Sequence, residues 1–230
     1  LMVIKTDLPA VVGSSGLVGS FLINNLSVLY PKVISYSRRK IHFDKKNVEN
    51  LIIDFNNLEN ESSFKEIDHL YIALGTTRRK AGSDKNFELV DYHYCINLAR
   101  SANKMGVKRI SVISSVGSNP NSNFLYPRTK GMLERDIIKI PLDHLNIVKP
   151  GIILGKRIET RVGENLGKIF FFLIDKILFG SFKKYKSISA NDISKAMIFQ
   201  LVNSKKNLKV LYYSDLKKSS NSFQSLFNID

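Results

Sequence analysis

The segment Tyr126-Pro127-Arg128-Thr129-Lys130 sets a phenol and a primary amine four residues apart at the head of a run with helical periodicity, so both side chains can face one way. An ammonium beside a phenol favours the phenolate and draws the tyrosine pKa down from its reference near 10. A tyrosine tuned in this way is a general acid for a carbonyl oxygen that receives hydride. Tyrosine and lysine fall at this spacing often by chance, and Ser114-Ser115 adds a second mark. These serines follow a short apolar run, at the kind of strand end where parallel sheets hold ligands. Ser115, farther past the run, is expected to polarise the same carbonyl oxygen, with Ser114 as the alternative.

A hydride donor needs its own site, and Gly13-Ser14-Ser15-Gly16-Leu17-Val18-Gly19 has the form of one. It follows an apolar run and opens a helical pattern, the context in which spaced glycines bind a dinucleotide. Gly13 is expected to make the tight turn, Gly16 to let backbone approach a pyrophosphate and Gly19 to seat the helix on the sheet. The helix N-terminus then faces the phosphates. Where the second run ends, NAD-binding chains carry an acid for the ribose hydroxyls. Here Ser37 is followed by Arg38 and Arg39, whose planar donor forks suit a 2′-phosphate. The expected cofactor is therefore NADP(H), with NAD(H) second. Asp54 is expected to accept from the adenine amino group or to cap the next helix. Ala73-Leu74-Gly75 is expected to lie against the adenosine ribose with little bulk.

These residues need a frame that brings them together. Apolar, β-branched runs at 10–12, 33–36, 51–53, 69–74, 109–113, 146–149 and 210–213 alternate with helical segments at 17–29, 86–105 and 128–139, the last stopped by Pro141. This alternation predicts an α/β fold, a doubly wound and mainly parallel Rossmann sheet with helices on both faces. After Pro150 the rhythm changes to a glycine-containing loop, an apolar helix near 165–179, an extended piece at Ile188 and a helix over 191–203. That apolar helix is expected to wall a small substrate cleft or, by default, to be buried in the core. The tail from Ser219 reads as a loose terminus or packing arm. With 230 residues, 43% of them hydrophobic, the chain is expected to form one NAD(P)-binding domain, its core at about 7–150 and its cleft segment at about 151–189.

The net charge of +15 raises the possibility of a nucleic-acid or membrane-surface partner. The basic residues are spread along the chain, however, and two of the clusters, at 38–40 and 78–80, fall where a phosphate-bearing cofactor is expected. No nucleic-acid partner is therefore expected. The single cysteine, Cys95, permits no internal disulfide and suits a reducing compartment. The four histidines show no metal-ligand spacing, and no metal is expected. Lys5, Asp7 and Pro9 interrupt the N-terminal apolar run, and Asp175 and Lys176 interrupt the most apolar stretch. Neither a secretory leader nor a transmembrane segment is expected, and the expected location is cytoplasmic.

Together the motifs resemble the short-chain dehydrogenase/reductase superfamily in its atypical, extended form, and most closely the Tat-interacting-protein oxidoreductase group with its bacterial relatives. The resemblance rests on the glycine turn, the run from Ala73 to Gly82 with Leu74-Gly75-Thr76-Thr77-Arg78, Val90-Asp91-Tyr92, Ser114-Ser115, Asn123-Phe124-Leu125-Tyr126 with Lys130-Gly131, and Lys149-Pro150-Gly151. It implies that Lys130 also binds the nicotinamide ribose, that Pro150 and Gly151 shape the nicotinamide side of the pocket, and that Thr76 and Thr77 lie near phosphate or substrate. One departure stands out. Many catalytic members place an Asn in the helix after the fourth strand to hold a proton-relay water, and that position here is Asp91, with Asn97 farther along. The expected function is an NADP(H)-dependent oxidoreductase acting on a small-molecule carbonyl or alcohol. The alternative is an NADPH-sensing binding protein with little turnover, and a protein partner or homodimer is compatible with either.

Overall fold

Runs of apolar residues buried on both faces become the central strands, because a parallel sheet covered by helices leaves neither face to water. In β1 (Pro9–Val12) Ala10 and Val12 point into one apolar layer and Val11 into the other. The computed structural model describes residues 7–58, 62–155, 178–203 and 207–227. The remaining strands of the main sheet are β2 (Val33–Ser37), β3 (Val48–Ile52), β4 (His69–Ile72), β5 (Arg109–Ile113), β6 (His144–Val148) and β9 (Leu208–Leu211). They are parallel and ordered β3-β2-β1-β4-β5-β6-β9. A short parallel pair, β7 (Ile153–Leu154) with β8 (Ile188–Ser189), stands apart.

The order reverses between β1 and β4, and a doubly wound sheet opens its ligand crevice at such a point. Helix α1 (Leu17–Leu29) covers one face together with α6 (Ala190–Asn203) and α7 (Tyr213–Phe227), burying Leu22, Leu26, Met197 and Phe223. The opposite face is covered by α4 (Tyr94–Lys104) and α5 (Leu125–Ile137), which bury Leu98, Ala102, Leu133 and Ile137. Two short helices, α2 (Arg78–Ala81) and α3 (Asp84–Glu88), follow β4. The α/β Rossmann architecture read from the sequence is the one observed.

One local reading changes and another is settled. The helix expected over 86–105 is interrupted by one π-helical turn, Leu89–His93, between α3 and α4. The tail from Ser219, expected as a loose terminus or a packing arm, packs: it is part of α7, with Phe223 and Phe227 buried against the α1 layer. The apolar helix expected at 165–179 falls almost wholly outside the described residues. Among the described residues no helix is long and apolar enough to cross a membrane.

Candidate active site

The glycine turn is dictated by contacts that leave no room for a side chain. Gly13, directly after β1, has φ +88°, and a Cβ there would lie 2.6 Å from the carbonyl oxygen of Ala73 at the end of β4. A Cβ on Gly19 would lie 2.0 Å from the Gly13 carbonyl oxygen. The first turn of α1 is thereby pressed onto the end of β1. No side chain caps α1 and its first turn holds no acid, so its N-terminal N–H groups keep their capacity for an anion. Ser15, Gly16, Leu17 and Val18 line a cleft of about 480 Å³ at the sheet's switch point. Gly13 and Ser14 support the turn from below instead. Ser14 is buried, and its hydroxyl shares a 2.7 Å hydrogen bond with that of Ser35 on β2.

Across the cleft stand Ala73, Leu74, Gly75 and Thr76, then Ser115, Tyr126 and Lys130, with Pro150 and Gly151 at the far side. Tyr126 lies in the first turn of α5, 47% exposed, with its ring 6.0 Å from that of Phe87. Lys130, one turn farther, is buried, and its Nζ lies 2.8 Å from Asp91 Oδ1 and 3.4 Å from the Ile113 carbonyl oxygen. Burial drives Lys130 toward the neutral amine, but its neighbours, Asp91 foremost with Cys95 and Tyr126, together outweigh it and the pKa ends above the ordinary lysine range. Cys95 lies behind this pair, and burial pushes its thiol up to about 12. It is therefore a thiol, not a thiolate, at neutral pH.

The two candidate serines are held differently. The Ser114 hydroxyl donates to Glu134 Oε1, which also accepts from Ser118 Oγ at 2.5 Å. Glu134 Oε2 is paired at 2.8 Å with Lys149, at the end of β6. The Ser115 hydroxyl donates only locally, to the Val116 carbonyl oxygen at 3.1 Å. Glu134 thus ties α5, the 114–118 turn and β6 together beneath the cleft. Replacing it with Ala leaves Lys149 buried without its partner, and we expect a loss of about 3 kcal/mol, the low end for a broken buried pair because Glu134 retains some exposure. Chemical denaturation measures it, and a loss under about 1 kcal/mol would show the pair to behave as a surface one.

Besides Gly13 and Ser14, three expected cofactor residues lie outside the cleft lining. Arg38 and Arg39 are exposed at the end of β2, the Arg38 guanidinium 6.0 Å from the Phe55 ring centre and 5.8 Å from that of Tyr94. Asp54 is exposed, and its Oδ1 accepts from the Asn56 backbone N–H and side-chain amide at 2.9 and 3.0 Å. Thr77, expected near phosphate or substrate, and Lys80, from the basic cluster at 78–80, also line the cleft; sequence reasoning missed Ser20, Ile113 and Ile153 there and noted Asp91 only as a departure. It also missed Glu134, although Lys130 and Glu134 stand at i, i+4 on one helix and Lys149 adjoins the Pro150-Gly151 motif. Among the described residues no three His, Cys, Asp or Glu side chains gather as a metal site requires.

The solved complex of MoeE5 with UDP-glucuronic acid and NAD superimposes with a TM-score of 0.68 at 17% identity, covering 89% of this chain and 75% of that one. The UDP-N-acetylglucosamine 4-epimerase of Methanobrevibacter ruminantium M1 gives 0.67 at 14% identity, covering 99% and 84%. Likeness at this level establishes the shared Rossmann fold. In sequence, Protein HTATIP2 of Rattus norvegicus is 36% identical over 167 residues, 70% of this chain and 69% of that one. The expected kinship with the Tat-interacting-protein group therefore stands. Protein FMP52, mitochondrial, of Candida albicans is 34% identical over 201 residues, 82% of this chain and 85% of that one.

That second relative corrects the expected cytoplasmic location, since it and its counterparts in Scheffersomyces stipitis and Eremothecium gossypii are named mitochondrial. The cue had been one cysteine with no possible disulfide, which distinguishes reducing from oxidising surroundings but not one reducing compartment from another. The HIM1 family model matches residues 21–185, most of the chain, and with these relatives it shows that the chain belongs to the HIM1 family.

Proposed function

We propose that the chain is an NADP(H)-dependent oxidoreductase of the short-chain dehydrogenase/reductase type, working as one nucleotide-binding unit on a carbonyl or alcohol. The observation that carries this reading is that Ser115, Tyr126 and Lys130 line the same cleft as the glycine turn. A dinucleotide fits the residues present: the turn admits only glycine where it meets β4 and α1, and the uncapped head of α1 opens toward the cleft. MoeE5, whose fold this chain shares, holds NAD in its solved complex.

When bound, the nicotinamide supplies or accepts the hydride. The chain's own residues do the rest. Ser115 donates a hydrogen bond to the carbonyl oxygen, Tyr126 gives that oxygen its proton, and the Lys130 ammonium stabilises the phenolate that remains. Lys130 is also assigned to the nicotinamide ribose, and Pro150 and Gly151 to the nicotinamide side of the pocket. Gly13 through Val18 are assigned to the pyrophosphate, and Ala73 to Thr76 to the adenosine side. Asp54 Oδ2 is assigned to the adenine amino group, its Oδ1 being held by Asn56.

The preference for NADP(H) rests on Arg38 and Arg39, which stand at the end of β2 where an NAD-binding chain carries a carboxylate. Calorimetric titration tests it. NADPH should bind clearly more tightly than NADH, and Arg38→Ala with Arg39→Ala should weaken NADPH about 10-fold or more while sparing NADH, the effect of removing charge-assisted hydrogen bonds worth about 1.5–3 kcal/mol. Equal affinities in the unaltered protein would sink the NADP assignment, and binding of neither cofactor would sink the oxidoreductase reading.

A further inference from the structure

Among the described residues, the charged side chains lining the cleft are Lys80, Asp91 and Lys130. The last two are 1% and 3% exposed and lie 2.8 Å apart. Asp91 reaches that place through the π-helical turn Leu89–His93, whose additional residue re-aims side chains relative to a continuous α-helix. Its other oxygen, Oδ2, accepts the Thr76 backbone N–H at 2.8 Å. One carboxylate therefore joins the catalytic-helix lysine to the turn that follows β4, with both of its oxygens engaged.

The groups facing the lysine come from every packed element. Asp91 approaches from the π turn, Cys95 from α4, the Ile113 carbonyl oxygen from β5, and Tyr126 from α5 itself. Cys95 is an un-ionised thiol, so Asp91 supplies the buried counter-charge. An amine in this enclosure would favour its neutral form on burial alone, and its neighbours, the carboxylate foremost, together reverse that preference.

We propose that Asp91 is a positioning residue that locks Lys130 as a permanent ammonium aimed into the cleft and takes that amine out of the proton route. An Asn at this place, as in many catalytic members of the superfamily, would leave the amine able to pass a proton to a relay water. Here the ammonium keeps its three protons throughout the cycle. The phenol O–H of Tyr126 breaks as the carbonyl oxygen takes the proton, and the phenolate, on a side chain 47% exposed, recovers from bulk solvent the one H⁺ that the reduction consumes. This last step rests on the oxidoreductase reading, whereas the locking of Lys130 does not.

The test uses the full chain labelled with ¹³C-lysine, the Lys130 Cε signal being assigned by its loss in Lys130→Arg. In the unaltered protein that signal should keep its ammonium shift through the accessible range. Titration at or below about pH 9, under the ordinary lysine value, overturns the proposal. In Asp91→Asn the midpoint should fall by about one unit or more as burial goes unopposed, and kcat should acquire a new basic limb at that pH. An unchanged midpoint in a folded Asp91→Asn protein also overturns it. Asp91→Glu should restore both the midpoint and the profile, which a merely structural role would not do. If Asp91→Asn fails to fold, the unaltered protein and Asp91→Glu decide. Absence of NADPH binding in the unaltered protein would defeat the oxidoreductase reading while leaving the lysine titration to stand or fall separately.

Discussion

Replacing Tyr126 with Phe is expected to lower turnover of a carbonyl substrate by about 10²- to 10⁴-fold, the range over which a positioned general acid contributes. The substitution removes one oxygen and leaves the ring beside Phe87, so packing at the head of α5 is retained. NADPH affinity should be nearly unchanged, because the cofactor's assigned contacts lie on the glycine turn, the ends of β2 and β4, and Lys130. Steady-state rates with calorimetry on the same preparation separate the two effects. If turnover survives within about threefold, Tyr126 is not the acid. The departure at Asp91 favours a second reading, in which the protein reports NADPH occupancy and its turnover is vestigial. That reading predicts an output to a partner that Tyr126→Phe leaves intact.

Gly19→Ala should be strongly destabilising. Its new methyl would lie 2.0 Å from the Gly13 carbonyl oxygen, 2.7 Å from the Gly13 carbonyl carbon and 2.9 Å from the Ser14 Cα. All three are backbone atoms, and none can rotate aside. Relief requires α1 to lift from β1, which disturbs the layer holding Leu22 and Leu26. A cost at or above the upper end of the overpacking range, about 3 kcal/mol, corresponds to a fall in Tm of about 6–12 °C in a chain of this size. Gly106→Ala is the control. Its φ is +105° but a Cβ there would meet nothing within 4 Å, so only the left-handed strain of about 1–2 kcal/mol applies. Thermal melts that rank Gly106→Ala as the more damaging would show that close approach is not what α1 requires.

The central elements were legible because their constraints are local. The helix at Leu17–Leu29 and the strand at Arg109–Ile113 begin and end where the apolar pattern places them. Edge strands were less clear. β3 starts three residues ahead of the expected run, at Val48, because Glu49 and Asn50 interrupt the apolar pattern on a strand only partly covered. Asn50 turns out to be structural, its amide donating to the Ser35 carbonyl oxygen and to Ser37 Oγ. α7 was legible only in part, for a different reason. Its surface is Ser, Asn and Gln, and its anchors Leu216, Ser220, Phe223 and Phe227 recur at helical spacing but acquire their meaning only from α1 and α6, far away in sequence.

The candidate site divides along the same line. Glycine spacing and the Tyr-Lys pair are visible in a few consecutive residues. The partners of Lys130 and Ser114 are not, since Asp91 arrives through a π turn that no local periodicity announces and Glu134 acts across α5, a turn and β6. Whether Arg38 meets a phosphate depends on a side chain that here rests near Phe55 and Tyr94.

The dependence of the α1 layer on α7 has a consequence for how the chain is made. β9 pairs with β6, more than sixty positions earlier, and Phe223 and Phe227 complete a layer begun by Val11 and Val18. During synthesis the glycine turn, β1 to β6, Tyr126 and Lys130 emerge first, while one side of the sheet is covered only by α1 until residues 190–227 follow. The nascent protein thus passes through a period in which its candidate site is present but sticky, the condition under which chaperone capture and aggregation compete.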